Sequence, residues 1–230
     1  MSAGTSRDAL LVQGPPGCGK TTLIQSLIGA YKRPVIACDS TGEWGGLGLD
    51  LGTASALREH LSQRLRAGER PEPVLRVQGR SEVEQVFSLL RAAEIPCTLV
   101  VDEVDMYAPN SGAADENFVH LCRRGRHVQG SDYPWGVSII AGVHAGQNCA
   151  RALTRTCEHV VFRQDEPNAV GRAQKYLFGG VDVSALDAYE YVVSRGVGRL
   201  SFDVTRGDPG PHGYTLNLEQ RVIEKTRSFS

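Results

Sequence analysis

The chain reads as an α/β fold on a mainly parallel sheet with helices on both faces, and three features of the sequence say so. Short runs of β-branched and aliphatic residues alternate with longer stretches whose apolar positions fall at helical spacing, the pattern of successive βαβ units. A glycine-rich loop, Gly14-Pro15-Pro16-Gly17-Cys18-Gly19-Lys20-Thr21, lies between one such run and one such stretch. Another apolar run, Leu99-Val100-Val101, ends in Asp102-Glu103, which puts two acids at the strand C-termini, where open α/β sheets keep their ligand crevice.

The elements follow in order. Residues 9–13 are apolar almost throughout, as a strand buried on both faces must be, and a helix over 20–31 starts at the glycine loop. Residues 34–38 give a second strand. A helix over 54–66 carries apolar positions at helical spacing, and Pro71 and Pro73 break the chain before a short strand at 74–78. Ser81 with Glu84 reads as a capping box opening a helix that runs to about residue 93 and stops before Pro96. A buried strand at 98–101 is followed by a helix over 115–124, a strand at 137–143, a helix over 150–157 and a strand at 159–163. Strands near 189–194 and 199–204 read as a short antiparallel segment. This divides the chain into an N-terminal arm (1–8), one core domain (9–206) and a C-terminal extension (207–230) that is disordered or reaches a neighbour.

Composition excludes several classes of protein. At 230 residues, 41% hydrophobic and 22% charged, the chain has the balance of a globular domain. It has no run of about 18 apolar residues, so a soluble, cytosolic protein that does not insert into membranes is expected. The six cysteines (Cys18, Cys38, Cys97, Cys122, Cys149, Cys157) form no C-x-x-C pair and several fall in apolar runs, which reads as reduced and structural. A net charge of −1 rules out bulk polycation behaviour. Any contact with nucleic acid must come from a local basic surface or from several copies acting together.

The glycine loop matches G-x-x-x-x-G-K-[ST] without departure. Its chemistry is that of a phosphate cradle. Backbone N–H groups of Gly14, Pro15, Pro16, Gly17, Cys18, Gly19, Lys20, Thr21 and Thr22, excepting the two prolines, and the start of the following helix wrap the phosphates of ATP. Lys20 reaches the β and γ oxygens, and the Thr21 hydroxyl holds Mg²⁺. Glycine is needed because a Cβ would push backbone away from phosphate. The acids fit the same site: Asp102 neutralises the metal from its outer shell, and Glu103 acts as the general base on water.

A more specific resemblance rests on the middle of the chain. Asp39-Ser40-Thr41-Gly42-Glu43-Trp44 resembles the D-x-x-G-E-[YW] signature on the HerA side of the FtsK–HerA superfamily of DNA-pumping ATPases, within the RecA-like (ASCE) P-loop NTPases. Arg126-His127 ahead of Gly136-Val137-Ser138-Ile139-Ile140-Ala141-Gly142-Val143-His144 resembles that superfamily's arginine, strand and sensor arrangement. Cys149 to Leu153 and His159 to Arg163 are similar to its last core helix and strand. The compact size and short C-terminal β segment most resemble the genome-packaging ATPases of tailless icosahedral viruses with an internal membrane.

That resemblance implies an ATP-hydrolysing motor that moves double-stranded DNA into a preformed capsid. It implies a homo-oligomeric ring, hexamer or pentamer, in the host cytoplasm or on the virion, with a capsid portal vertex or a membrane protein as docking partner. It also implies Arg126 as an arginine finger acting in the neighbouring subunit's site, against a solvated basic helix end formed by Arg123, Arg124 and Arg126. Two departures stand out. His144, followed by Ala145 and Gly146, takes the place of the usual sensor Gln, with Gln147 as the alternative. An insertion, Gln129 to Trp135, precedes the sensor strand. Asp39 and Glu43 read equally as site residues or as a turn. Arg151 and Arg155, four apart on a helix, share a face and point either to DNA phosphate or to a nearby acid. The competing readings are an AAA+-like loader, which calls for a helical lid after the core, and a zonula-occludens-toxin-like phage assembly or export ATPase, which usually adds a membrane segment.

Overall fold

The computed structural model describes residues 9–28, 34–39, 42, 44, 48–67, 74–93, 95, 97–124, 136–173 and 182–194, together with strands at 202–206, 216–217, 222–223 and 226–227. The chain runs β1 (Ala9–Gln13), α1 (Lys20–Ile28), β2 (Val35–Asp39), β3 (Leu49–Gly52), α2 (Ala54–Arg66), β4 (Val74–Gln78), α3 (Arg80–Ala93), β5 (Cys97–Val101), α4 (Glu116–Arg124), β6 (Val137–Val143), α5 (Arg151–Thr156), β7 (Glu158–Phe162), α6 (Pro167–Arg172), β8 (Glu190–Ser194), β9 (Phe202–Arg206), β10 (Leu216–Asn217), β11 (Val222–Ile223) and β12 (Thr226–Arg227).

All but β10 and β11 join one sheet, ordered β12-β9-β8-β7-β1-β6-β5-β2-β4-β3. From β7 to β3 every neighbouring pair is parallel; β8, β9 and β12 extend it antiparallel. The strand leading to Asp102 is thus separated from the strand leading to the glycine loop by β6, consistent with the expected RecA-like fold. β12 comes from the C-terminal extension and pairs with β9, with Thr226 opposite Thr205.

Two cores explain why the central strands are mostly apolar. Side chains alternate faces along a strand. Leu11, Ile36, Leu99, Val101, Ile139 and Ala141 pack with α2, α3, α4 and α5 on one face, while Leu10, Val12, Ala37, Val100 and Ile140 pack with Leu23, Ile24 and Leu27 of α1 on the other. Parallel strands sandwiched this way are mostly apolar on both sides, with Gln13 of β1, Thr98 of β5, Ser138 of β6 and His159 of β7 as buried polar exceptions.

Some local expectations are corrected. The capping box at Ser81 and Glu84 does not form. The helix begins at Arg80, after Gly79 in a left-handed conformation (φ 83°). Glu84 pairs instead with Arg80 (3.2 Å), and Glu82 Oε2 accepts the Ala54 backbone N–H at 2.9 Å. The last predicted strand lies at 202–206 rather than 199–204. β3 and α6 were not expected at all. All six cysteines are free, and all but Cys18 are buried.

Candidate active site

The C-terminal edge of the parallel sheet is where the ends of β1, β2, β5 and β6 meet. Gly14 leaves β1 with its N–H donating to Val143 O at the end of β6 (3.2 Å), which ties the start of the loop to that strand. A Cβ on Gly14 would strike Cys18 Sγ and lie 2.8 Å from Phe162 Cβ, so the loop closes this tightly only with glycine there. Gly17 and Gly19 adopt φ of 75° and 98°, left-handed backbone that L side chains resist. Lys20 Nζ donates to Gly14 O (2.8 Å) and Pro15 O (3.0 Å). With three donors on an ammonium, the side chain braces the loop while keeping one N–H for an anion. Burial raises the pKa of the Cys18 thiol against the opposing pull of Lys20, so it acts as packing rather than as a nucleophile.

Asp102, 6% exposed, is held from three directions. Its N–H donates to Cys38 O (3.3 Å), its Oδ1 accepts the Glu103 N–H (3.0 Å), and its Oδ2 accepts the indole N–H of Trp44 (3.1 Å). Gly142 on β6 leaves room for it: a Cβ there would sit 2.7 Å from Asp102 Oδ1. Glu103 takes φ 50° and ψ 52°, left-handed for a non-glycine residue, which costs on the order of 1 kcal/mol and is the kind of strain kept at functional sites. The turn brings Glu103 Oε1 to 3.7 Å from His144 Nε2, at the end of β6. Glu103 and His144, both picked out in the sequence, are thus brought together next to the buried Asp102.

The Asp39 segment turns out to be a bracket. Asp39, fully buried, accepts the N–H groups of Gly42 (2.8 Å) and Trp44 (3.0 Å), which settles it as a turn residue. The turn drives Trp44 into the core, with its N–H on Asp102. Arg76 then donates to Trp44 O and to Asp50 Oδ2 (2.6 Å). Trp44 was missed as a partner of Asp102. The available signal was a large aromatic with a polar handle two residues past the turn glycine, at the end of a buried strand.

Several expected residues lie outside the described ones: Arg126, Glu43, the 129–135 insertion, and the side chains of Arg124 and Gln147. Arg123 and Arg151 are exposed. They line a groove of about 640 Å³ with Arg91, His120 and Glu116, between the surfaces of α3, α4 and α5. Among the described residues neither forms an ion pair with an acid. The helices that wall this groove are connected to the site along the chain. α4 follows Glu103 and α5 follows His144, and the connecting segments are joined by Ala150 N–H to Ala108 O (2.7 Å) and Asn110 N–H to Asn148 O (2.8 Å).

A phosphate-type loop on β1, two acids at the end of β5 and the intervening strand β6 define a P-loop ATPase. The model of the ATPase family associated with various cellular activities (AAA) matches residues 10–125 of the 230, and the chain belongs to that family. In fold it is similar to the genome packaging NTPase B204 from Sulfolobus turreted icosahedral virus 2 in complex with sulfate. That likeness has a TM-score of 0.68 at 16% identity over 86% of this chain and 95% of that one. The same NTPase in complex with ATP-gammaS gives 0.67 at 16% identity, over 86% and 96%. The DNA-packaging ATPase B204 from Sulfolobus turreted icosahedral virus gives 0.63 at 16% identity, again over 86% and 96%. A search of curated proteins finds no match. Among the described residues no helix is long and apolar enough to cross a membrane.

The fit of Gly142 against Asp102 yields a direct test. Gly142→Ala should fold, because a small residue fits a strand, but its methyl group displaces the Asp102 carboxylate from Trp44 and Glu103. ATP hydrolysis is expected to fall about 10²-fold, the usual effect of an ångström-scale misplacement, with little change in melting temperature. Parental hydrolysis by a folded Gly142→Ala protein would show that the position of Asp102 is unimportant.

Proposed function

We infer that this chain hydrolyses ATP with Mg²⁺ and couples hydrolysis to movement of double-stranded DNA, as a ring of identical subunits that packages a viral genome. The observation that carries this reading is the bracket from Asp39 through Trp44 to Asp102. The segment that resembles the signature of DNA-pumping ATPases is the one that holds the metal-side acid. The fold shared along nearly the whole chain with a genome packaging NTPase supports it.

The residues present suit the nucleotide and the metal. The cradle at Gly14 admits no Cβ, Thr21 and the buried Asp102 supply hard oxygens for Mg²⁺, and Lys20 keeps a donor for the β and γ oxygens. When bound, Mg²⁺ would polarise the terminal phosphate and spread its developing charge. Glu103 takes the proton of the attacking water. His144, at hydrogen-bonding reach of Glu103 after a small rotamer shift, orients that water and senses the γ-phosphate. Because α4 and α5 continue from these two residues, a change in their separation moves the basic groove. The docking partner is a capsid portal vertex or a membrane protein, and the setting the host cytoplasm or the virion.

An AAA+-like loader is the second reading, favoured by the AAA match itself. It calls for a helical lid beyond the core, whereas the chain continues after β7 with the short α6 and the antiparallel β8 and β9.

A motor that must ignore sequence grips phosphate, so its DNA response should be electrostatic. Duplex DNA is expected to stimulate phosphate release, steeply less at higher salt and with little dependence on base composition. Arg123→Ala with Arg151→Ala should lower the salt slope by about one per lost phosphate contact. Absence of any DNA effect on rate or binding, in a protein that hydrolyses ATP, would favour the loader or a regulatory module.

A further inference from the structure

The last residue of β1, the turn after β6 and strand β7 are joined by a buried polar chain that the nucleotide chemistry does not itself require. Gly146 N–H donates to Gln13 Oε1 at 2.9 Å. The Gln13 amide nitrogen lies 2.6 Å from His159 Nδ1, and His159 Nε2 lies 2.9 Å from Thr154 O. Gln13 is 5% exposed and His159 3%.

Both ends of this chain are backbone groups, and they fix its polarity. An N–H only donates, so Gln13 must present its oxygen to Gly146 and its NH₂ to the imidazole. A carbonyl only accepts, so His159 carries its hydrogen on Nε2 and accepts at Nδ1. One neutral arrangement satisfies every group. Flipping the amide would set two donors against each other at Gly146, and a proton on Nδ1 would do the same at Gln13. Burial, which lowers the pKa of His159, favours the same neutral form.

The placement is what gives this chain a use. Gln13 directly precedes Gly14, the first residue of the phosphate loop, and Gly14 N–H is itself bonded to Val143 O. Gly146 lies two residues beyond His144, whose imidazole stands 3.7 Å from Glu103. The turn is seated hard on the amide: a Cβ on Gly146 would come within 2.8 Å of Gln13 Cδ. The Gly14–Val143 bond on one side of His144 and the Gln13–Gly146 bond on the other therefore fix the sensor turn against the start of the phosphate loop.

We propose that Gln13 and His159 are positioning residues for ATP hydrolysis, which hold the 144–146 turn against the phosphate loop so that His144 meets Glu103. The inference rests on the reading of His144 as a working part of the site. Gln13 acts through that turn and touches neither phosphate nor water.

The test is a double-mutant comparison of kcat, KM and nucleotide-analogue affinity, with thermal melting as the control for folding. Gln13→Met keeps the length and loses both hydrogen bonds. It is expected to lower kcat at least about ten-fold with analogue affinity within about two-fold of the parent, because the phosphate loop is retained. His159→Gln can accept from Gln13 and donate to Thr154 O, and should keep most of the activity, whereas His159→Leu should resemble Gln13→Met. If Gln13 works through the sensor turn, Gln13→Met added to His144→Ala lowers kcat little further. Multiplicative losses in the double mutant would overturn the proposal and leave Gln13 a structural residue. So would parental kcat in folded Gln13→Met. If His144→Ala alone keeps parental kcat, the reading of His144 fails and the proposal with it, whereas loss in His144→Ala without loss in Gln13→Met sinks the proposal alone. Should Gln13→Met melt at the assay temperature, Gly146→Ala, which adds one methyl group against the Gln13 amide, enters the same comparison with the same outcomes.

Discussion

Glu103→Gln is expected to bind ATP as the parent does and to hydrolyse it roughly 10²- to 10⁴-fold more slowly, the range that a positioned general base contributes. The amide has the size of the carboxylate and tolerates the same left-handed backbone as well, so the turn at φ 50° and the approach to His144 should persist. What it loses is the capacity to take a proton from water. Asp102→Asn makes the informative contrast. That carboxylate is enclosed by the Trp44 indole, the Glu103 N–H and β6, so its loss should raise the Mg²⁺ concentration needed for activity. Phosphate release measured across a Mg²⁺ titration, beside nucleotide-analogue binding, separates the two. Near-parental hydrolysis by Glu103→Gln would remove Glu103 from the chemistry.

The parts of this site that the sequence makes legible are those in which chemistry is packed into a few consecutive residues. The glycine loop carries its own turn residues, its lysine and its helix start. Asp102 and Glu103 announce themselves by ending an apolar run. For the same reason β1, α2, β4 and β6 fall at their expected bounds: glycine, proline or a charge cluster lies at or near their ends, and the strands β1 and β6 are buried along their whole length. β3 carries no such mark. Leu49-Asp50-Leu51-Gly52 is a half-exposed edge strand whose pattern is that of a loop, and only pairing with β4 makes it a strand. The capping box at Ser81 failed for the converse reason. The local signal is present, but the helix starts one residue earlier at Arg80, which Glu84 pairs within the same helix, and Glu82 serves the start of α2.

What stayed hidden was the support of the site. Trp44 meets Asp102 across 58 positions of chain, and Gln13 meets His159 across 146; no spacing rule reaches that far. Nor does a sequence tell that Gly142 and Gly146 are glycines for lack of space beside Asp102 and Gln13. Both leave their mark only once β6 is seated between β1 and β5. Asp39 illustrates the limit from the other side. An acid at a strand end beside a nucleotide site suits metal and turn alike, and it took the two N–H groups pointing at it to decide for the turn.

Mixing two inactive variants should restore hydrolysis if the site is completed by a second subunit. Among the described residues, Arg76, Arg80 and Arg163 are paired with Asp50, Glu84 and Asp165, and Glu103 has His144 as its ionisable partner. Lys20 is, among the described residues, the lysine at the phosphate loop, and a guanidinium brought by a second subunit would offset charge on the outer oxygens of the terminal phosphate. Arg126, picked out by resemblance, is the residue proposed to supply it. Arg126→Ala alone is expected to lose about 10³- to 10⁵-fold in kcat, the range measured for arginine fingers in other phosphoryl-transfer enzymes, while its nucleotide affinity stays near parental. A subunit with Arg126→Ala keeps an intact Glu103, and a subunit with Glu103→Gln keeps an intact Arg126. Where the second follows the first around a ring, one site is complete. For random mixing at equal concentrations about a quarter of the junctions are of that kind if each subunit's finger serves one neighbour, so activity should reappear at a substantial fraction of parental, peaking at equal ratio. A mixture that assembles and stays inactive at every ratio would place the arginine within its own subunit's site or outside the chemistry altogether.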